Sequence, residues 1–120
     1  MITAKSYGFP ATQTEVYVYR LADDLYVATY YDGASEVAWG EGSTGIEALA
    51  RAAGSWDEGG VSAEEYCLDN KYDPECRNPF RDVLTGNYDG VVDVDPEDAA
   101  EYIRGIENLD ELSARARHII

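Results

Sequence analysis

Three groups of residues have types and spacings that could do chemistry. The first is Gly40-Glu41-Gly42-Ser43-Thr44-Gly45, which matches the G-x-G-x-x-G pattern that lets a pyrophosphate approach the N-terminus of a helix. The preceding strand belongs to a series of hairpins rather than to a βαβ unit, and Glu41 would repel a diphosphate. We therefore predict that these glycines serve a tight turn into a capped helix and that the chain binds no cofactor.

The second group is a run of acids whose hard oxygen ligands could bind calcium. Its members are Asp89, Asp93, Asp95, Glu97 and Asp98. The run lacks the D-x-D-x-D-G spacing and the distal glutamate of an EF-hand loop. Asp95, which precedes a proline, is better explained as a helix cap, and Glu97 and Asp98 as first-turn charges that suit the helix dipole. We predict no metal site.

The third group consists of Cys67, Cys76 and His118. Two cysteines and a lone histidine do not supply a four-ligand zinc set, and His118 lies near the C-terminus, where it would compensate a helix dipole. The cysteines are expected to be thiols, although a disulfide closing the ten-residue loop stays open. An acid–base enzyme would need a concave pocket holding a carboxyl of strongly raised pKa. We predict that the protein is not an enzyme.

Length and charge restrict the remaining possibilities. The chain has 120 residues, 45% of them apolar, which fits one globular domain. It carries 24 acidic and 9 basic residues, a net charge of −15 that would repel phosphate backbones and anionic lipids. No stretch approaches the roughly 18 apolar residues of a membrane span. We therefore expect a cytoplasmic protein that touches neither nucleic acid nor membrane directly.

Period-2 alternation predicts strands in the first half of the chain. The segments are Gln13–Leu21, Leu25–Tyr31 and Ser35–Trp39, with a further edge strand from Ile2 to Tyr7. Asp32-Gly33 indicates a two-residue hairpin. One face of this sheet would be aliphatic, with Val16, Val18 and Val27, and the other would carry tyrosines. The tyrosines concerned are spread over two adjacent strands and comprise Tyr17, Tyr19, Tyr26, Tyr30 and Tyr31.

A helix after Thr44 is predicted to cover the aliphatic face with one apolar stripe. The stripe consists of Ile46, Leu49, Ala50 and Ala53. The tyrosine face then requires the C-terminal helices or a partner protein as its cover. Helix starts are predicted at Thr44-x-x-Glu47, Ser62-x-x-Glu65, Asn78-Pro79, Asp95-Pro96 and Asn108-x-x-Glu111.

These patterns predict one α+β domain over residues 1–120. A three- to four-stranded antiparallel sheet packed by a helix would occupy residues 1–54, and a mostly helical, acidic part would occupy residues 55–120. From Asp57 to Glu111 there are seventeen acids and four bases, so this segment alone carries −13. Met1–Thr14, in contrast, contains no acid. This unevenness favours a directed surface over the even acidification of a protein adapted to high salt.

In its size, charge and lack of catalytic groups the chain resembles the small acidic DNA-mimic inhibitors of phages and mobile elements, which include anti-restriction and anti-CRISPR proteins. A second resemblance covers residues 13–54. The unit ending DGASEVAWGEGSTGIEALARAAG looks like the strand–strand–helix part of HicB-type antitoxins and of double-stranded-RNA-binding domains. Gly45, Ile46 and Leu49 occupy the neighbourhood where the latter family has lysines, so RNA binding is not implied.

The leading hypothesis is a non-enzymatic inhibitor whose duplex-like acidic surface blocks a basic nucleic-acid-binding protein. Rows of carboxylates could imitate the regular charge of a duplex, about one phosphate per 3.4 Å along each strand. The predicted partner-binding residues are Glu64, Glu65, Asp69, Asp73, Glu75, Asp89, Asp93, Glu97, Asp98 and Glu101. The alternative is a halophile-adapted or antitoxin-like interaction module that works through its tyrosine-rich sheet.

Overall fold

The computed structural model of the chain describes residues 1–9, 13–59 and 78–120. Within those ranges the chain forms an antiparallel sheet flanked by helices, which confirms the predicted α+β class. The elements are β1 (Thr3–Phe9), β2 (Thr14–Ala22), β3 (Leu25–Tyr31), β4 (Glu36–Gly42), α1 (Gly45–Gly59), α2 (Pro79–Leu84), β5 (Gly90–Val94), α3 (Pro96–Arg104), a 3₁₀ turn (Leu109–Glu111) and α4 (Ala114–Ile119). The strand order is β4-β3-β2-β1-β5.

The predicted C-terminal half is wrong in one respect, because it is not mostly helical. Residues 90–94 form a fifth strand that pairs with β1, so β1 is an interior strand and not the edge strand expected from the sequence. The signal for β5 was weak because Val91, Val92 and Asp93 are all exposed. A strand without a buried face shows none of the alternation on which strand prediction depends.

The division of the sheet into an aliphatic and a tyrosine face is also wrong. In the register of β2 and β3, Tyr19 lies opposite Val27 and Tyr17 opposite Thr29. Residues directly opposite each other project to the same face. Each face therefore mixes tyrosine with β-branched residues, because the turn between the two strands sets a register that brings unlike positions together.

Helices cover both faces of the sheet. On one face, Tyr19 and Val27 pack with residues of α3, α4 and the 3₁₀ turn, among them the fully buried Ile103. On the other face, Val16 and Ala28 pack with α1 and α2, where Phe80 is fully buried. Burying a side chain of this size contributes about 1.5–3 kcal/mol.

The helix α1 lies unusually close to β4. A Cβ added at Gly40 would stand 2.3 Å from the carbonyl oxygen of Ala48 and 2.4 Å from the nitrogen of Ala52, and one at Gly42 would stand 2.7 Å from the nitrogen of Ala48. The two glycines therefore serve close packing of helix on strand. The predicted cap at the helix start is confirmed, since the backbone N–H of Glu47 donates to Thr44 Oγ1 at 3.0 Å.

The apolar stripe of α1 differs from the prediction. Ile46 is 72% exposed and Ala50 is exposed too, whereas the buried line consists of Ala48, Leu49, Ala52 and Ala53. Alanines occupy this line because only a small side chain fits where the helix backbone approaches Gly40 and Gly42.

The remaining local predictions have mixed outcomes. Asn78 caps α2 as predicted, accepting hydrogen bonds from the backbone N–H groups of residues 80 and 81. Asp95 stands at the N-cap of α3 before a proline, but its side chain makes no capping bond. The turn after β3 spans four residues rather than two, because Tyr31 pairs with Glu36. The Ser62 capping box lies outside the described residues.

Candidate interaction surface

The predicted partner-binding residues divide into two sets. Glu64, Glu65, Asp69, Asp73 and Glu75 lie outside the described residues, as do both cysteines. The other five, Asp89, Asp93, Glu97, Asp98 and Glu101, are all exposed. They follow one another along residues 89–101, from the residue before β5 to the second turn of α3.

We call residues 89–101 the acidic segment. It contains six acids, the five above and Asp95, and no basic residue. Two anchors hold it against the protein: β5 pairs with β1, and Ala99 and Ile103 bury the inner side of α3. Residues at i and i+4 of a helix share a face, so Glu97 and Glu101 lie side by side on the outer surface, with Cβ atoms about 5–6 Å apart.

Elsewhere on the described surface, arginines neutralise four of the acids. The four ion pairs are Arg20–Asp23, Arg51–Glu47, Arg81–Asp57 and Arg115–Asp24. None of them includes an acid of the acidic segment. Arg104, which follows this segment, donates to the backbone oxygen of Ile120 instead. Lys5 lies opposite Asp93 in the register of β1 and β5, but the two side chains form no ion pair within 4 Å.

The two edges of the sheet differ in how the chain treats them. The outer edge of β4 is occupied by its own chain: Asn108 Nδ2 donates to the oxygen of Ala38 at 2.7 Å, and the nitrogen of Ala38 donates to Asn108 Oδ1 at 2.8 Å. The N–H of Glu107 donates to the oxygen of Glu36, and Arg51 Nη1 donates to the oxygen of Glu41. On β5, within the described residues, the only strand neighbour is β1.

The tyrosines of the sheet lie mainly beneath helices. Tyr19 is fully buried, and Tyr17 stacks on it with ring centroids 5.9 Å apart and meets Tyr102 of α3 edge-to-face at 6.0 Å. On the other face, Tyr30 packs against Trp56 of α1 at 5.0 Å. The interpretation of the tyrosines as core layers under helices therefore fits the observed contacts better than that of an exposed aromatic patch.

Sequence reasoning missed a buried polar cluster on the face that α3 covers. Glu36 Oε1 accepts hydrogen bonds from the hydroxyls of Tyr19 and Thr29, both fully buried. The neighbouring Tyr17 hydroxyl donates to Glu15. Burial raises the pKa of Glu36 above its ordinary value, although the two hydroxyls oppose that shift. The position of Glu36 in a strand, alternating with the buried Ala38, was the one available signal.

We interpret this cluster as part of the core and not as a reactive site, because both hydroxyls that contact Glu36 come from fully buried side chains. Burial also raises the pKa of Tyr19, and a nearby Glu36 carboxylate adds to the effect. Burial therefore shifts both groups towards their neutral forms, and the two hydroxyl contacts satisfy the Glu36 carboxyl oxygen in this partly buried site.

The described residues also bear on metal binding and on membrane crossing. Among the described residues, no three acidic, histidine or cysteine side chains come together as a metal-binding group. In the same part of the chain, no helix has the length and apolar character required to cross a bilayer.

The chain matches no protein-family model, no curated protein and no solved structure. The resemblances to DNA-mimic inhibitors and to HicB-type antitoxins therefore stay predictions from the sequence. The function has to be argued from the surface itself.

Proposed function

We propose that this protein is a non-enzymatic inhibitor that binds a basic nucleic-acid-binding protein through the acidic segment. The observation that carries the proposal is the concentration of uncompensated charge, six acids and no base within residues 89–101. Four arginines form ion pairs with acids elsewhere on the described surface, while the six exposed acids of residues 89–101 form none with the described bases. Uncompensated charge of one sign steers a partner of the opposite sign and accelerates its association.

The geometry suits a partner that normally holds nucleic acid. Asp93 and Asp95 are two residues apart on extended backbone, a separation of about 6.6 Å, and Glu97 and Glu101 follow on the outer surface of α3. This spacing is close to two phosphate steps along one strand of a duplex, since each step is about 3.4 Å along the axis. A protein lined with lysine and arginine would therefore meet several carboxylates at once.

The test compares two triple variants that change the net charge equally. The acidic-segment triple carries Asp93→Lys, Glu97→Lys and Glu101→Lys, and the control triple carries Glu58→Lys, Glu107→Lys and Asp110→Lys. All six positions are exposed, and each triple moves the net charge of −15 by six units. Each variant is immobilised, a lysate is passed over it, and bound protein is eluted with excess duplex DNA.

We expect the wild type and the control triple to capture a nucleic-acid-binding protein that duplex DNA releases, and the acidic-segment triple to lose it. Equal capture by both triples would contradict the proposal, because the overall charge would then suffice. If excess duplex DNA fails to release the captured protein, the proposal that this surface mimics nucleic acid is wrong.

A further inference from the structure

We propose that the outer edge of β5 is a docking site for an extended, basic segment of the partner, which joins the sheet as an additional strand. The basic character of that segment rests on the proposed function. The availability of the edge does not rest on the proposed function, since it follows from the order of the strands and from the hydrogen bonds at the two ends of the sheet.

Within the described residues, the two edges of the sheet differ in how they are covered. An unpaired edge strand presents N–H and C=O groups that attract another strand, and proteins commonly cover or blunt such edges. Here the chain covers β4 with side-chain and backbone hydrogen bonds from Asn108, Glu107 and Arg51. Among the residues that the structure describes, none covers the β5 edge in this way, so within that part of the chain the two ends of the sheet differ.

The composition of β5 also suits an added strand. Its sequence, Gly90–Val94, contains neither lysine nor proline, the residues that most often protect an edge. Val91 is 49% and Val92 66% exposed, on opposite faces of the strand. Val91 lies beside Tyr7 of β1 and Val92 beside Ser6. An added strand would therefore gain main-chain hydrogen bonds and an apolar contact on either face.

The acids at this edge favour a basic occupant. Asp93 lies within β5, and Asp89 and Asp95 lie at its two ends. A second copy of this chain would bring the same acids and a net charge of −15 to the edge, which disfavours self-pairing. A strand with lysine or arginine at alternate positions would meet Asp89 and Asp93 on the face of Val91 and place its apolar residues against Val92 on the other face.

The test uses two blocked nine-residue peptides of equal charge. One alternates lysine with valine, and the other alternates lysine with proline, which has no backbone N–H to donate to a sheet. Affinity is measured by titration at low salt, and amide hydrogen exchange is followed residue by residue. We expect the lysine–valine peptide to bind at least about tenfold more tightly. It should also slow exchange of those β5 amides that point away from β1 by a similar factor.

Matched variants locate the contact. Val92→Lys places on the proposed edge a long side chain with the same sign of charge as the peptide. Ile46→Lys is the control, because it makes the same kind of change on α1 at a residue that is even more exposed. Val92→Lys should weaken binding of the lysine–valine peptide about tenfold relative to Ile46→Lys. If Val92→Lys does not fold, as judged by its thermal melt, hydrogen exchange in the wild type decides alone.

Three results would overturn the inference. They are equal affinity for the two peptides, unchanged exchange of the β5 amides on binding, and outward β5 amides that are already protected in the free protein. The last would mean that another part of this chain or a second copy fills the edge. Failure of the proposed function has a different signature, equal capture by the two triple variants, so the two failures are distinguishable.

Discussion

Asn108 closes the free edge of β4 by exchanging two hydrogen bonds with the backbone of Ala38. Its Nδ2 donates to the carbonyl oxygen at 2.7 Å, and its Oδ1 accepts from the N–H at 2.8 Å. A carboxamide presents one donor and one acceptor in the geometry of a peptide group, so this side chain replaces one residue of a neighbouring strand. The expectation that Asn108 caps a helix is wrong for this reason, since its side chain is engaged with the sheet.

Asn108→Ala should lower the free energy of unfolding by about 1–3 kcal/mol, because two partly buried backbone groups of Ala38 lose their partner. The measurement is urea unfolding followed by circular dichroism. Asn87→Ala is the control, since Asn87 is exposed and its side chain has no hydrogen bond to described residues. Equal stability of the two variants would show that water replaces Asn108 at no cost.

Gly40→Ala should destabilise the protein by about 1–3 kcal/mol or more, because its Cβ would stand 2.3 Å from the backbone of α1 and force helix and strand apart. Gly54→Ala, within the same helix, meets nothing within 4 Å and should stabilise by about 0.5–1 kcal/mol. Thermal melts of the two variants check the opposite signs. A Gly40→Ala protein as stable as the wild type would contradict the close packing of α1 on β4.

Glu36→Gln should change the dependence of stability on pH. Burial raises the folded-state pKa of Glu36, so its contribution to stability is present at low pH and is lost as pH rises through that folded pKa. Glutamine keeps the oxygen that Tyr19 and Thr29 contact and never ionises. The variant should therefore match the wild type at low pH and become more stable than it towards neutral pH.

The measurement is the difference in unfolding free energy between Glu36→Gln and the wild type from pH 4 to pH 8. Glu107→Gln serves as the control for removing one negative charge, since Glu107 is exposed. A difference that falls rather than rises with pH would contradict the assignment of a raised pKa to Glu36.

Salt should stabilise the protein moderately. Screening lengths shrink from about 10 Å at 0.1 M to 3 Å at 1 M, which weakens the mutual repulsion of the acids. We expect a folded protein at 0.1 M whose melting temperature rises with salt, and a smaller rise for the acidic-segment triple, measured by calorimetry. A chain that folds only in molar salt would instead favour the halophile-adapted alternative.

The parts of the fold that the sequence predicted correctly are those whose signals are local. Thr44 and Asn78 cap their helices because an N-cap depends on residues only two or three positions away. The strand Leu25–Tyr31 was predicted at its observed limits, since its alternation reflects burial on both sides of the sheet. Hence the capped helices and the central hairpin needed no knowledge of distant contacts.

Long-range relationships escaped the sequence analysis. The mixed faces depend on the register of β2 and β3, and the exposure of Ile46 depends on glycines in another element. β5 becomes a strand because β1 offers it an edge, and Asn108 acts on a residue seventy positions away. The sequence alone predicted which acids of residues 89–101 matter. That these acids form no ion pairs with the described arginines required the structure, because the arginines pair with acids elsewhere.

The most direct measurement is displacement of a fluorescent DNA duplex from the captured partner by increasing amounts of this protein, followed by anisotropy. We expect the wild type and the control triple to displace the duplex at similar concentrations. The acidic-segment triple should require at least about tenfold more, since three carboxylates that face the partner become repulsive. Equal displacement by both triples, or binding of this protein without release of the duplex, would contradict the assignment of the acidic segment as the surface that replaces DNA.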